Sequence, residues 1–294
     1  MKLILFLFII PSIVAESQDI FNFYSNLQFS PLGTYNDMKY QTGFCKMQGF
    51  NTQSRSTSYA PKIVLDGKVN FGVGLSHYQF GSPSNPSIYG LTEGTLVCGM
   101  CIQIQNISNL PLFNSELTQY VPINVTTSHI AMIFDQCTDP ICNENFLDID
   151  VYADNIFTKS NTYNIDWIAI DCPVDEFNEL ELLICTQNTC NVNDIKYKSV
   201  HYFKELFNPT FFSIIPRNMV RPIREFYIKN ENEYIKLEYR SGIGYIWEGK
   251  EFINSLLELK LIDVFNNIIY KQYNFTKELL KMPLDDYRGG IIIH

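Results

Sequence analysis

What this chain lacks narrows it considerably. After its first residues no uninterrupted apolar run is long enough for a membrane helix. No cysteine follows Cys190. Few segments carry a helical period, no internal repeat is evident, and no long Gly/Ser- or Pro-rich linker divides the chain. A rigid two-domain unit is therefore expected rather than beads on a string. Positive charge is scarce: the formal net charge is −9, which argues against nucleic acid or an anionic membrane as the main partner. His77, His129, His201 and His294 are scattered and show neither metal-ligand spacing nor a nucleophile–base arrangement. No metal and no cofactor are expected.

Among what is present, Lys2 precedes an apolar run, Leu3 to Ile10, then Pro11 and a short stretch ending at Ala15. This has the form of a secretory leader, residues 1–15, removed near Ala15. The eight cysteines all lie downstream of it, an even number that suits an oxidising, extracellular compartment. Asn106-Ile107-Ser108, Asn124-Val125-Thr126 and Asn274-Phe275-Thr276 are N-glycosylation acceptor patterns. Short alternating or β-branched runs dominate the remainder. They include Leu96 to Gln105, Ile130 to Phe134, Ile165 to Ile170, Phe211 to Ile215, Glu225 to Lys229, Tyr234 to Tyr239 and Leu257 to Asp263. Turn residues such as Asn230-Glu231-Asn232 and Asn266-Asn267 separate them. This is the texture of barrels and sandwiches. Helix is expected in two places, through Gly72-Val73-Gly74-Leu75 to His77 and over Val151 to Phe157.

Between Cys98 and Val174 the cysteines interleave with carboxylates: Cys98-Gly99-Met100-Cys101, then Ile133-Phe134-Asp135-Gln136-Cys137, Cys142, Leu147-Asp148-Ile149, Asp166-Trp167 and Cys172-Pro173-Val174. Two acidic side chains on a cross-linked, strand-rich scaffold suit gripping or cutting a polar polymer. The plainer reading is that Asp135 and Asp148 cap loops or accept from backbone amides. A four-thiolate zinc site from Cys98, Cys101, Cys137 and Cys142 competes with disulfides, and an oxidising compartment disfavours it. Alternation places Trp167 with Ile165 and Ala169 on one strand face, as packing. Arg217, Arg221, Arg224 and Lys229 form a basic cluster. It reads as an ordinary charged face, or alternatively as an attractor of acidic polymers.

These pieces, with Gly33-Thr34-Tyr35 and Cys45 before them and Asn208-Pro209-Thr210-Phe211-Phe212-Ser213, Arg217-Asn218, Gly244-Tyr245-Ile246-Trp247 and Leu259 to Asp263 after them, resemble the expansin family in order and spacing. The Asn-, Ile-, Tyr- and Phe-rich composition is similar to that of expansin-like proteins of social amoebae. The resemblance implies an all-β chain. A six-stranded double-psi β-barrel (26–175) would be followed by a connecting segment (176–207), a carbohydrate-binding β-sandwich (208–276) and a tail (277–294). It also implies the disulfides Cys45–Cys98, Cys101–Cys172, Cys137–Cys142 and Cys185–Cys190.

Function follows from the same resemblance. Thr34, Asp135 and Asp148 match the polar residues of the expansin groove, and Asp148 resembles the general acid of related inverting endoglucanases. A second carboxyl is needed for hydrolysis; Asp37 stands off register for it, and Asp135 is the other candidate. Phe211, Phe212, Tyr239, Tyr245 and Trp247 are the candidate sugar-stacking aromatics, because a pyranose offers its apolar C–H face to a flat ring. Phe211 and Phe212 are adjacent on one strand, so only one of them can face solvent. The expectation is a secreted, monomeric, non-enzymatic protein of the cell wall or matrix. It binds cellulose or a related β-glucan and loosens chain–chain contacts. The alternatives are a weak endoglucanase using Asp148, or a structural wall or matrix protein without glycan activity.

Overall fold

The computed structural model describes residues 17–26, 28–36, 45, 63, 66–77, 96–109, 122–123, 129–137, 142, 147–150, 163–174, 180–186, 209–240, 244–249, 251–252, 256–274 and 290–293. A short helix, α1 (Ser17–Tyr24), precedes the first group of strands. These are β1 (Gln28–Asn36), β2 (Phe71–Ser76), β3 (Cys101–Asn109), β4 (Pro122–Ile123), β5 (His129–Cys137), β6 (Leu147–Asp150) and β7 (Tyr163–Ile170). They pair in the order β4-β3-β5-β2-β6-β1-β7, and β7 returns to pair with β3. Six strands therefore close on themselves, which removes the free edges that an open sheet leaves. The β1–β6 and β2–β5 contacts are parallel and the other contacts antiparallel. This is the all-β, six-stranded double-psi barrel that the family resemblance implies.

The barrel interior follows from alternation. Phe71, Val73 and Leu75 of β2, Leu147 of β6, Ile102 and Ile104 of β3, and Ile165, Trp167 and Ala169 of β7 are all buried. Asp166, Ile168 and Ile170, on the other face of β7, are only partly so. Full burial of one such apolar side chain contributes about 1.5–3 kcal/mol. Trp167 is packing, as expected: its ring stacks on Tyr24 of α1 at 5.6 Å, and its Nε1 donates to Ser30 Oγ at 2.8 Å.

The residues from Phe71 to Ser76 form a strand, not the expected helix. All six are buried between β5 and β6. A period of two, with Gly72, Gly74 and Ser76 opposite the apolar set, is masked in the sequence because small residues replace the usual polar ones. The other expected helix, Val151–Phe157, lies outside the described residues, as does the leader.

Three disulfides cross-link this region: Cys45–Cys98, Cys101–Cys172 and Cys137–Cys142. They are three of the four pairings implied by the family resemblance, and they consume the sulfurs of the competing zinc arrangement. Cys185 is also disulfide-bonded; Cys190 lies outside the described residues.

The second group of strands is β8 (Glu181–Thr186), β9 (Phe211–Arg217), β10 (Ile223–Asn230), β11 (Glu233–Lys236), β12 (Glu238–Arg240), β13 (Gly244–Glu248), β14 (Leu256–Asp263), β15 (Ile268–Asn274) and β16 (Gly290–Ile293). They make a four-stranded sheet, β11-β10-β14-β15, and a five-stranded sheet, β12-β13-β9-β8-β16. Leu257, Leu259, Leu261, Phe226 and Ile228 of the first join Phe212, Ile214, Tyr245 and Trp247 of the second in one core. β8 and β16 fall in the stretches expected as a connecting segment and a tail. β8 pairs with β9 and β16 pairs with β8, so both stretches contribute to the five-stranded sheet.

The two regions are joined by specific contacts. Cys172 N donates to Val220 O at 2.8 Å, and Arg221 makes a two-pronged bond to Asp171 at 2.6 and 2.5 Å. The Arg221 guanidinium also lies 4.6 Å from the ring centroid of Phe265, which meets Phe21 of α1 edge-on at 5.0 Å.

Candidate functional site

Asp148 belongs to β6, where Leu147 pairs with Leu75 on the inner face and Asp148 pairs with Gly74 on the outer one. Gly74 pairs on its other side with Asp135 of β5. β5 reaches that pairing through an irregularity. Val73 opposes Ile133, but the next residue, Gly74, opposes Asp135, so Phe134 is an extra residue. Strict alternation from the inward Ile133 would turn Asp135 inward. The bulge instead brings it to the rung of Gly74, which is the use bulges commonly have beside sites. A second bulge lies on the opposite flank. In β1, Leu32 opposes Leu147 and Tyr35 opposes Ile149, so Gly33 and Thr34 together face the single residue Asp148.

Thr34, Asp148, Gly74 and Asp135 thus lie on one rung across β1, β6, β2 and β5. The backbones of Asp148 and Asp135 are two strand spacings apart, about 9.5 Å. Gly74, which is buried, leaves room for no more than a methyl group in ordinary contact between them. A Cβ there would stand 3.5 Å from Asp148 Cβ and 3.7 Å from Asp135 O. Two residues on from Gly74, Ser76 Oγ donates to the O of Cys142, the disulfide partner of Cys137, at 3.3 Å.

The two carboxylates differ in access. Asp148 is 1% exposed, whereas Asp135 is half-buried and accepts from Gln136 N at 2.8 Å. Asp135 therefore fills the backbone-capping role of the plainer reading while still reaching solvent. Asp37, the off-register alternative, lies outside the described residues. Among the described residues no group of three or more His, Cys, Asp or Glu side chains could hold a metal ion.

The expected sugar-stacking aromatics fare differently. Phe212, Tyr245 and Trp247 are buried. Phe212 and Trp247 are register partners on β9 and β13, stack at 6.0 Å and face the core together. Tyr245 spends its hydroxyl on Ile223 O at 2.7 Å. These three are corrected to core residues: on paired strands, one inward residue sets its partner inward too. Phe211, adjacent to Phe212, is half-buried at the end of β9. Tyr239 is half-buried and packs against the core, edge-on to Tyr245 at 5.3 Å.

The basic cluster is neutralised. Arg217 is buried 3.7 Å from Glu181, Arg221 holds Asp171, Arg224 lies 3.4 Å from Glu225, and Lys229 lies 2.9 Å from Glu258. It is an ordinary set of ion pairs rather than a lure for acidic polymers. Of the glycosylation acceptors, Asn274 is exposed at the end of β15, Asn106 lies within β3, and Asn124 is outside the described residues.

Sequence reasoning missed the exposed tyrosines of the four-stranded sheet, Tyr234 and Tyr270. No periodic signal in Glu233–Lys236 or Ile268–Asn274 marks them; their facing follows from the pairing with β10 and β14.

No known family profile matches the sequence. No curated protein matches it either. Solved structures do match. A crystal structure of the expansin of Clavibacter michiganensis, without ligand, aligns with a TM-score of 0.51 at 12% identity, over 84% of this chain and 90% of that one. A point mutant of the same expansin in complex with cellohexaose aligns with a TM-score of 0.48 at 11% identity, over the same shares. The chain has an expansin-like fold.

Proposed function

We propose that this protein is a secreted, expansin-like glucan-binding protein. It holds a chain of cellulose or a related wall glucan against the rung of Thr34, Asp148, Gly74 and Asp135, and loosens chain–chain contacts without hydrolysis. The observation that carries this is the pair of bulges on either side of one rung. Both disturb regular pairing at the same level: one sets Gly33 and Thr34 opposite Asp148, and the other sets Asp135 opposite Gly74, two strands from Asp148. A sugar hydroxyl exchanging water or a neighbouring-chain partner for an accessible group of this rung gains about 0.5–1.5 kcal/mol net, and about 1.5–3 kcal/mol where the group is the Asp135 carboxylate. Such modest exchanges let a chain slide rather than stick.

Access favours binding over cutting. The spacing of the two backbones does not exclude an inverting pair, whose carboxyls stand about 6.5–9.5 Å apart. A general acid must, however, come within about 3 Å of the glycosidic oxygen, and Asp148 is buried. Asp148 then supports the rung from beneath the surface, and Asp135 is its accessible carboxylate. Secretion is supported by the disulfides, which persist in oxidising compartments. No helix among the described residues is long and apolar enough to cross a membrane.

The test joins a cellulose pull-down to a reducing-sugar assay and a creep assay on cellulose strips under load. Wild-type protein is expected to sediment with cellulose and to increase creep without releasing sugar. Absence from the pellet would sink the proposal. Sugar release that disappears in Asp148→Asn would replace it with the endoglucanase reading.

A further inference from the structure

The four-stranded sheet contains no cysteine, since none follows Cys190. Its outward face holds a pair of tyrosines instead. Register places Tyr234 of β11 opposite Lys229, and Tyr270 of β15 opposite Lys260. The two residues are 39% and 61% exposed. They belong to the two edge strands, three strand spacings or about 14 Å across the sheet. Their ring centroids are nevertheless 6.1 Å apart. Both side chains therefore lean inward over the central strands β10 and β14.

Other tyrosines are placed differently. Tyr24, Tyr245 and Tyr273 are buried. Tyr227 donates to Glu225, and the Tyr239 hydroxyl lies 3.9 Å from Cys98 Sγ. Tyr234 and Tyr270 instead combine an exposed ring with a second exposed phenol at hand. The disulfides place the chain in an oxidising compartment, where one-electron oxidants reach exposed phenols.

We infer that Tyr234 and Tyr270 are a site of oxidative cross-linking, joined into a dityrosine by hydrogen peroxide and an extracellular haem peroxidase. Each phenol gives up one hydrogen atom, as an electron and a proton, to the oxidant. The two phenoxyl radicals carry spin density on the ring carbons beside the C–O carbon, and one C–C bond forms between those carbons. The hydrogens at the joined carbons then move to the oxygens and restore both phenols. The peroxide O–O bond breaks, and hydrogen peroxide leaves as two waters. The rings are inclined 59° to each other. A biaryl is likewise twisted about its central bond, because the groups beside that bond crowd one another when flat. Rotation about the side-chain bonds of two exposed residues closes the remaining gap. The link straps β11 to β15 across both central strands and ties down the two edges of a sheet that disulfides leave unsecured. As a cross-link it acts mainly by restraining the unfolded chain. This reading is independent of glucan binding, which uses the barrel.

The full chain, with its disulfides intact, is treated with hydrogen peroxide and a haem peroxidase. The readouts are dityrosine fluorescence, denaturing-gel mobility, peptide mass and urea unfolding. Coupling of N-acetyltyrosine amide in a parallel tube shows that the oxidant is active. Wild type is expected to gain the fluorescence while migrating as a monomer, at every protein concentration. Digestion should yield one peptide pair joining Tyr234 to Tyr270, lighter than the separate peptides by two hydrogens, and the urea midpoint should rise. Tyr234→Phe and Tyr270→Phe each keep the ring and remove the phenol. Each should lose both the fluorescence and the rise, with its unoxidised midpoint unchanged. Absence of dityrosine in wild type overturns the inference, as does fluorescence that survives in either variant. Fluorescence confined to covalent dimers overturns it too, and makes the pair a contact between copies of the chain.

Discussion

The barrel and the sandwich solve the same problem, a buried β core, by opposite means. The barrel brings distant strands together through parallel contacts, closes them with disulfides, and places its polar rung where regular pairing fails. In the four-stranded sheet of the sandwich, long antiparallel ladders, capped turns and surface ion pairs take over, and its exposed residues sit where the pleat puts them. Asp263 illustrates the second style. It is buried, accepts from Phe265 N and Asn267 N at 2.8 Å each, and so fixes the turn between β14 and β15. A site at an irregularity is sensitive to single insertions and small volumes. A site on a regular face is sensitive only to the side chains that form it.

The largest expected effect tests the cross-linking half of this contrast. Replacing Cys101 and Cys172 together by alanine frees a loop with a sequence separation of 71 and should cost about 4 kcal/mol in urea unfolding. Removing Cys137 and Cys142 in the same way should cost about 2 kcal/mol, because that loop is far shorter. Equal losses would break the argument that loop length sets the contribution.

A pair of glycines sharpens the contrast next. In Gly244→Ala the new Cβ would lie 2.7 Å from Ile215 Cγ1 and 2.9 Å from Ile214 O, at a φ of 101°. Overpacking and backbone strain together should cost about 3 kcal/mol. Gly74→Ala meets only ordinary contacts, so its stability should change by less than about 1 kcal/mol, while cellulose sedimentation falls. If Gly74→Ala unfolds the protein, the glycine is structural and the rung's part in binding loses its support.

Alkaline pH separates the regions more gently. Burial, reinforced by the Glu181 carboxylate, raises the Tyr273 phenol well above its ordinary value. Its hydroxyl donates to Leu180 O at 2.9 Å. A folded-state pKa above the unfolded one means a contribution that is complete below about pH 10 and fades as pH rises further. Thermal midpoints should therefore decline above that pH in wild type and decline less steeply in Tyr273→Phe. That variant should also be weaker near neutrality by about 1 kcal/mol, for the lost hydrogen bond. Parallel alkaline curves for the two proteins would remove Tyr273 from the account.

Much of the fold was legible because alternation is a direct consequence of the pleat. Ile165-Asp166-Trp167-Ile168-Ala169-Ile170 announces both its state and its faces. What hid were the departures. Nothing in Ile133-Phe134-Asp135 says that Phe134 is surplus to its partner strand, so the shared rung of Asp135 and Asp148 follows only from pairing. Phe212 and Trp247 were misassigned because each strand leaves its absolute facing open until a register partner fixes it. Tyr270 and Tyr273 make the same point on one strand: the first points out and the second in, and only the pairing with Lys260 and Leu257 decides which.

The pairing of β16 with β8 sets a timetable. β8 follows the barrel in sequence, but its outer neighbour is Gly290–Ile293, so the five-stranded sheet stays incomplete while everything between is being made. Until then β8 presents an unpaired border of amides and carbonyls, the kind of border that recruits other strands. The barrel strands are all available earlier. Maturation should therefore finish in the sandwich, and a shortened chain lacking 290–293 should aggregate rather than lose only a tail.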